Sequence, residues 1–138
     1  MGVKILFKNK KIYKGEQNAD IEVTSPKTLK SINCPTRLNS GAIDEFLVIF
    51  LIAAKAKGVS YFKDLAELDQ KESPRLQWGA NLNINKKIII KDYLKDHRVF
   101  MTSIIAGLTF GGTWEIHDKD SIRTSFPNFL NIINDLKR

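Results

Sequence analysis

The chain has few cysteines and histidines and no long apolar run, and each shortage excludes a class of site or protein. Among its 138 residues there is one cysteine, Cys34, which excludes an internal disulfide and fits a reducing compartment. The two histidines, His97 and His117, complete no recognised ligand spacing, so we expect no metal and no other cofactor. The strongly apolar run at residues 46–54 is far shorter than the ~20 residues of a membrane helix. With no signal sequence at its start, the chain is expected to be cytoplasmic and free of membranes.

Arginine is also scarce, since it supplies only five of the 22 basic residues. The formal net charge of +7 comes mostly from scattered lysines, with no basic stripe interleaved with aromatic residues. We therefore expect no nucleic-acid partner. Against this lysine background an arginine indicates a place where a planar, bidentate fork is needed. Arg75 and Arg98 both lie in the charged clusters that follow.

The hydrophobic pattern alternates between strands and helices and predicts one α+β domain over residues 1–138. Strands are predicted at 3–7, 20–24, 59–63, 87–91 and 113–117. Helices are predicted at 42–57, from Ser73-Pro74 to Gly79, from Asp96 to Gly111 and from Ser125 onward. The last helix is expected to bury Phe129, Leu130, Ile133 and Leu136. Residues 42–81 and 96–138 share one order of helix, glycine, strand, acidic loop and capped helix, which indicates a weak internal repeat.

Two charged clusters at predicted helix starts have both a structural and a functional reading. Asp44 and Glu45 open an apolar helix, where acidic residues suit the helix dipole. The alternative is a carboxylate held beside a bound substrate. Lys71, Glu72 and Arg75 form either a solvated ion-pair patch or an anion clamp with a carboxylate nearby for proton transfer.

The third cluster, Asp96-His97-Arg98, places an arginine at a helix N-terminus, against the helix dipole. A bound phosphate or carboxylate would remove that conflict, because a helix N-terminus itself favours anions. The alternative is a capping Asp96 with exposed neighbours. The three clusters together supply the groups needed to hold a small, multiply anionic substrate and to move a proton on it.

Read in order, these segments resemble the 5-enolpyruvylshikimate-3-phosphate synthase family, also called 3-phosphoshikimate 1-carboxyvinyltransferases. The matching segments are Ala19-Asp20-Ile21, Ile43-Asp44-Glu45, Glu67-Leu68, Lys71-Glu72-Ser73, Arg75-Leu76, Asp96-His97-Arg98, Ala106-Gly107-Leu108 and Thr124-Ser125-Phe126-Pro127. The resemblance implies a partial copy of the enolpyruvyl transferase fold, which is built from strand–helix–strand–helix–strand–strand units.

The resemblance also implies a reaction and a role for each residue. The family transfers the enolpyruvyl group of phosphoenolpyruvate to the 5-hydroxyl of shikimate 3-phosphate and releases phosphate. By the match, Asp44 contacts shikimate 3-phosphate and accepts the hydroxyl proton, and Lys71 lies near the same substrate. Glu72 handles the proton at the methylene carbon. Arg75 and Arg98 hold phosphoenolpyruvate, and His97 supports that site.

The match covers the C-terminal part of the family, so the resemblance implies that the partner of this chain is the N-terminal domain of the same enzyme. That domain carries the lysine–serine phosphate site and the glycine-rich segment. We therefore expect the chain alone to be inactive, and to form homo-oligomers or to have limited solubility. Three departures from the family stand out: Pro74 replaces an aspartate, Thr124 replaces a late lysine, and the connection from Arg75 to Asp96 is short.

Two alternatives remain open at this point. One is a relative that acts on UDP-N-acetylglucosamine, although the Lys-Glu-Ser, Asp-His-Arg and Ser-Phe-Pro motifs fit the shikimate enzyme better. The other is a noncatalytic remnant or subunit that binds anions.

Overall fold

A long hairpin opens the chain and stands apart from the helices. In the computed structural model, which describes residues 1–81, 95–112, 114–117 and 119–136, β1 (Lys4–Tyr13) pairs antiparallel with β2 (Glu16–Thr24). Both strands are exposed along their whole length. They extend well beyond the predicted 3–7 and 20–24, because cross-strand pairing continues through polar residues up to the turn at Lys14 and Gly15.

One face of the hairpin is apolar although it is exposed. Ile5 lies opposite Val23 and Phe7 lies opposite Ile21, so these four side chains share a face. Their exposed fractions run from 53% to 63%. A register shift between Lys8 and Lys11 ends this regular pairing, with the remaining pairs continuing to the turn.

Two of the predicted strands are wrong within the described residues. The segment predicted at 59–63 holds one isolated parallel bridge, Tyr61 with Asn33, and a second bridge, Lys57 with Lys30, lies just before it. Gly58 lies between these bridges at a φ of +97°, which breaks the extended conformation needed for a ladder. At 113–117 the described residues contain a single bridge position, Glu115. The strand predicted at 87–91 lies outside the described residues.

The first apolar helix is shorter than predicted. Residues 42–57 were expected to be helical, whereas Ser40–Glu45 forms a 3₁₀ helix and α1 spans Phe46–Lys55. α1 packs against the next two α-helices of the chain. Its side chains Phe46, Leu47, Phe50 and Leu51 are buried, while Val48 is 44% exposed. The helix is therefore buried along one side rather than all round.

The second helix, α2 (Arg75–Asn81), runs through Gly79 instead of stopping there. A Cβ at Gly79 would come within 2.3 Å of Cδ2 of Phe50, so this glycine allows α2 to lie close against α1. Ser73 was expected to cap α2, but its hydroxyl donates to Asp96 instead. Residues 66–70, just before α2, form a 3₁₀ helix.

The third helix, α3 (His97–Phe110), separates two hydrophobic cores and begins and ends as predicted. Asp96 caps its start and Gly111, at a φ of +69°, ends it. Val99 and Ala106 face the first core, together with Phe46, Leu47, Phe50, Leu51, Leu65, Leu68 and Trp78. Phe100 faces the second core, which holds Ile122, Phe129 and Ile133.

The last helix, α4 (Phe129–Asp135), begins four residues after Ser125, because residues 123–125 and 127–128 form turns. Phe129 and Ile133 are buried as predicted, and Leu130 packs against the same core. Leu136 is wrong as a core residue, since it lies beyond the helix and is 78% exposed. Among the described residues, helices occur together with a small two-stranded sheet, which confirms the predicted α+β class.

Candidate functional site

Three chain segments that start or precede helices meet at one place. The 3₁₀ helix Ser40–Glu45 contributes Asp44, and the segment leading into α2 contributes Lys71, Glu72 and Arg75. The start of α3 contributes Arg98. The packing of α1 on α2 and α3 holds these starts together, so the three clusters singled out in the sequence form one group of charges.

Asp44 is the point on which the cations converge. Its Oδ1 lies 3.0 Å from Nη1 of Arg75 and 3.8 Å from Nζ of Lys71. Its Oδ2 lies 3.7 Å from Nη2 of Arg98. The Asp44 side chain is 42% exposed, so a single carboxylate that solvent can reach pairs with three cations from two distant segments.

Arg75 is the most enclosed of these cations. Its side chain is 1% exposed, and three carboxylates surround its guanidinium group. Nε lies 2.9 Å from Oδ2 of Asp96, Nη1 bonds Asp44, and Nη2 lies 2.6 Å from Oε2 of Glu72. An arginine that is buried to this degree needs such pairing, because an unpaired buried charge is strongly destabilising.

Asp96 lies beneath Arg75 and is itself fully buried. Its Oδ2 accepts from Arg75 and, at 2.7 Å, from the hydroxyl of Ser73. Its Oδ1 accepts from the backbone N–H groups of Arg98 and Val99 at 3.0 and 3.2 Å. One carboxylate therefore caps α3 and pairs with the first residue of α2.

Arg98 is less enclosed, with its side chain 35% exposed. Besides Asp44, its Nη1 lies 3.5 Å from Oε1 of Glu45 and donates to the backbone carbonyl of Asp44 at 3.3 Å. Lys71 is shared in the same way, since its Nζ also lies 4.0 Å from Oε1 of Glu67. These outer contacts are long, and solvent screens them.

The surroundings shift three pKa values. Burial works to raise the pKa of Asp44, but the hydrogen bond from Arg75 and the charges of Arg98 and Lys71 outweigh it and hold the pKa below its usual value. Burial likewise opposes the ionised form of Asp96, and the bonds from Arg75, Ser73 and Val99 lower its pKa nonetheless. The pKa of Arg75 is raised against burial by Asp96 and Glu72. All three groups are therefore charged at neutral pH.

His97 lies at the edge of this group. It is the first residue of α3 and is half-buried. Among the described residues, no hydrogen bond or ion pair joins its side chain to Asp44, Arg75 or Arg98. Its position next to Arg98 in the chain is compatible with a supporting role, which stays a prediction.

The expectation that the N-terminus of α3 offers free donors to an anion is wrong for the first turn. The N–H groups of Arg98 and Val99 are taken by the side chain of Asp96, and that of Phe100 by its carbonyl. An anion here would therefore be bound by the side chains of Arg98, Lys71 and Arg75.

Sequence reasoning missed the pairing of Asp96 and Ser73 with Arg75. Asp96 was expected only to cap α3, and Ser73 only to cap α2. Arg75 and Asp96 are 21 residues apart in the chain, so no local pattern indicates their contact. The signal available was an arginine followed, in a later segment, by an aspartate at a helix start.

The described part of the chain contains neither a cluster of candidate metal ligands nor a candidate membrane-spanning helix. Within it no group of three or more His, Cys, Asp or Glu side chains could hold a metal ion. None of the helices it contains is long and apolar enough to cross a membrane.

Two curated proteins that are similar in sequence to this chain carry the same name. No family model matches the chain. The 3-phosphoshikimate 1-carboxyvinyltransferase of Ruthia magnifica is 36% identical over 156 residues, covering 99% of this chain and 36% of the relative. That of Hydrogenovibrio crunogenus is 35% identical over 154 residues, covering 97% of this chain and 34% of the relative.

A solved structure agrees with the sequence relatives. The EPSP synthase of Acinetobacter baumannii matches with a TM-score of 0.79 at 30% identity, covering 98% of this chain and 36% of the other. The chain thus spans about a third of the length of the proteins it matches. These matches confirm the resemblance predicted from the sequence motifs.

Proposed function

We propose that this chain, which is related in sequence and fold to about a third of the 3-phosphoshikimate 1-carboxyvinyltransferases, forms part of such an active site. The reaction transfers the enolpyruvyl group of phosphoenolpyruvate to the 5-hydroxyl of shikimate 3-phosphate and releases phosphate. The observation that carries the proposal is the convergence of Lys71, Arg75 and Arg98 on Asp44. Both substrates are anionic, and these cations are the groups that would hold them.

Asp44 is the proposed proton acceptor for the substrate hydroxyl. With its pKa lowered it is ionised and ready to accept a proton, but it is a weak base while three cations surround it. When anionic substrates draw Lys71 and Arg98 toward themselves, the pKa of Asp44 rises and the carboxylate becomes a stronger base. Substrate binding and base strength are thereby coupled.

Glu72 is the proposed group for the proton at the methylene carbon. Its side chain is 53% exposed, so it can reach a substrate, and one of its oxygens is held by Arg75 at 2.6 Å. That bond orients the carboxylate beside the arginine proposed to hold phosphoenolpyruvate. A carboxylate that is fixed next to the reacting carbon would speed proton transfer through its position rather than through strong basicity.

The proposed partner is the N-terminal domain found in the family. A site that must bring two anions together needs both halves of its clamp, so we expect little turnover from this chain alone. The proposed location is the cytoplasm, in line with the single cysteine of the chain.

The fold proposal is a partial set of strand–helix–strand–helix–strand–strand units, with the repeat at residues 42–81 and 96–138. The order of elements supports it. After α1 come Gly58, a bridge residue, the 3₁₀ helix Ala66–Gln70 and α2. After α3 come Gly111, a bridge residue, the 3₁₀ helix Lys119–Ile122 and α4.

The test is phosphate release from shikimate 3-phosphate and phosphoenolpyruvate. The chain is assayed alone and after addition of the remaining part of the Ruthia magnifica enzyme. We expect turnover above the no-protein control only in the mixture, and loss of that turnover with Asp44→Asn. A mixture that forms a complex but shows no phosphate release would refute the proposal.

A noncatalytic anion-binding protein is the second candidate. It is favoured by the 1% exposure of Arg75: if Asp44 and Glu72 keep its outer edge covered, Lys71 and Arg98 remain to bind an anion but the site lacks one of its proposed catalytic contacts. In that case phosphoenolpyruvate would bind without turnover in the mixture. The matched proteins described above carry the shikimate enzyme's name, which favours that substrate over UDP-N-acetylglucosamine.

A further inference from the structure

We propose that Asp96 is a positioning residue that fixes both proposed phosphoenolpyruvate arginines at once. The ligand in this inference rests on the proposed function, while the geometry stands apart from it. Asp96 is buried, with its side chain fully covered, so it cannot touch a substrate. It acts through Arg75, whose guanidinium group it holds, and through the start of α3, which carries Arg98.

The hold on Arg75 is side-on. Nε donates to Oδ2 of Asp96 at 2.9 Å, and Nη2 lies 3.4 Å from Oδ1. A paired contact of this kind fixes the plane of the guanidinium group as well as its distance. Ser73 donates to the same Oδ2 and so holds the carboxylate in turn.

The three carboxylates around Arg75 differ in solvent exposure, and this difference indicates which of them an incoming anion can replace. Asp96 is 0% exposed, whereas Asp44 is 42% and Glu72 is 53% exposed. An incoming anion can replace the two exposed carboxylates at the outer edge of Arg75. The inner edge stays paired with Asp96, so the arginine keeps its orientation while its partners change.

The charge of Asp96 and its positioning of Arg75 predict opposite effects of Asp96→Asn on the affinity for an anion. Removing the negative charge of Asp96 should, by electrostatics alone, strengthen anion binding at Arg75. Asp96→Asn keeps an oxygen to cap α3 but can place an amide donor against Nε of Arg75, which frees the guanidinium group. If Asp96 positions Arg75, the variant therefore binds phosphoenolpyruvate more weakly.

The experiment titrates phosphoenolpyruvate into the full chain and follows it by NMR. We expect Asp96→Asn to weaken binding by about tenfold or more, as for loss of a charge-assisted bond. The matched control is Asp69→Asn. Like Asp96, Asp69 accepts from a backbone N–H near a helix start, in this case that of Leu76 in α2 at 3.1 Å. Unlike Asp96, it is exposed and does not contact Arg75. The control should stay within twofold of the parent. Equal or tighter binding by a folded Asp96→Asn would overturn the proposal.

A measurement on the unaltered chain covers the case in which Asp96→Asn does not fold. We expect the Nε–H signal of Arg75 to be resolved and protected from solvent exchange, and to stay still during titration while the Nη and Arg98 signals move. A rapidly exchanging Nε–H would overturn the proposal by itself. If no signal near the site responds to ligand, the anion site of the proposed function fails, while the Nε–H signal still tests the hold of Asp96 on Arg75.

Discussion

At the scale of single residues, the buried contact between Asp96 and Arg75 connects stability to pH. The pKa of Asp96 is lower in the folded chain than its usual 3.8. Ionised Asp96 therefore stabilises the fold at any pH above the unfolded value, and that contribution is lost as the pH falls through the folded value. The contact between Asp96 and Arg75 should therefore persist below the pH at which solvent-exposed carboxylates become protonated.

We expect Asp96→Asn to lower the free energy of unfolding at pH 7 by about 3 kcal/mol, since breaking a buried pair leaves a charge with less compensation. The difference from the parent chain should shrink as the pH falls from the usual pKa of a free aspartate toward the lower folded pKa of Asp96. Urea unfolding at several pH values between 7 and 2 measures this. A difference that stays constant with pH would contradict the assignment.

Ser103 links two helices through one hydroxyl. It accepts from Nε1 of the buried Trp78 at 3.1 Å and donates to the carbonyl of Val99 at 2.7 Å. Ser103→Ala should cost about 1–3 kcal/mol, because the buried indole N–H loses its partner. The control is Thr109→Ala, which removes an exposed hydroxyl that makes the same kind of bond to Ile105. Thermal unfolding of both variants tests the difference, and equal effects would rule out the role of Trp78.

At the scale of elements, the approach of α2 to α1 depends on the absence of one side chain. Gly79→Ala should destabilise the chain by about 1–2 kcal/mol, because overpacking against Phe50 exceeds the gain in helix propensity. Gly41→Ala is the control, since a Cβ there meets nothing within 4 Å. Chemical unfolding compares the two variants. A stabilised Gly79→Ala would mean that the two helices move apart at no cost.

The elements differ in how well the sequence predicts them. α3 was predicted because Asp96, the apolar spacing and Gly111 are local signals that agree with one another. The strands at 59–63 and 113–117 were wrong, because an apolar run becomes a strand only when a neighbour continues the ladder. For the site, the three clusters could be found in the sequence, but their convergence on Asp44 depends on contacts between distant segments.

At the scale of the whole molecule, the hairpin carries more apolar surface than an isolated two-stranded sheet can keep in water. Ile5, Phe7, Ile21 and Val23 form one exposed face. A two-stranded hairpin is at best marginally stable alone, and contiguous apolar surface of this kind tends to be covered. This is a physical reason for the oligomers expected from the sequence.

We expect the purified chain to self-associate through this face. Phe7→Thr should lower the mean mass seen by light scattering at high concentration, because it removes an aromatic side chain from the apolar face. Leu6→Thr, on the opposite face beside Glu22, should leave the mass unchanged. A parent chain that is monomeric at all concentrations would contradict the expectation.

The exposed carboxylates around Arg75 have a consequence for every affinity measured on this protein. Asp44 and Glu72 are tethered competitors, present at the cations at an effective concentration that the fold sets. An observed affinity for phosphate is thus the intrinsic affinity reduced by this internal competition. Asp44→Ala should bind inorganic phosphate severalfold more tightly in calorimetry, although it lacks the proposed base. The Asp44 side chain would then weaken anion binding and at the same time support turnover.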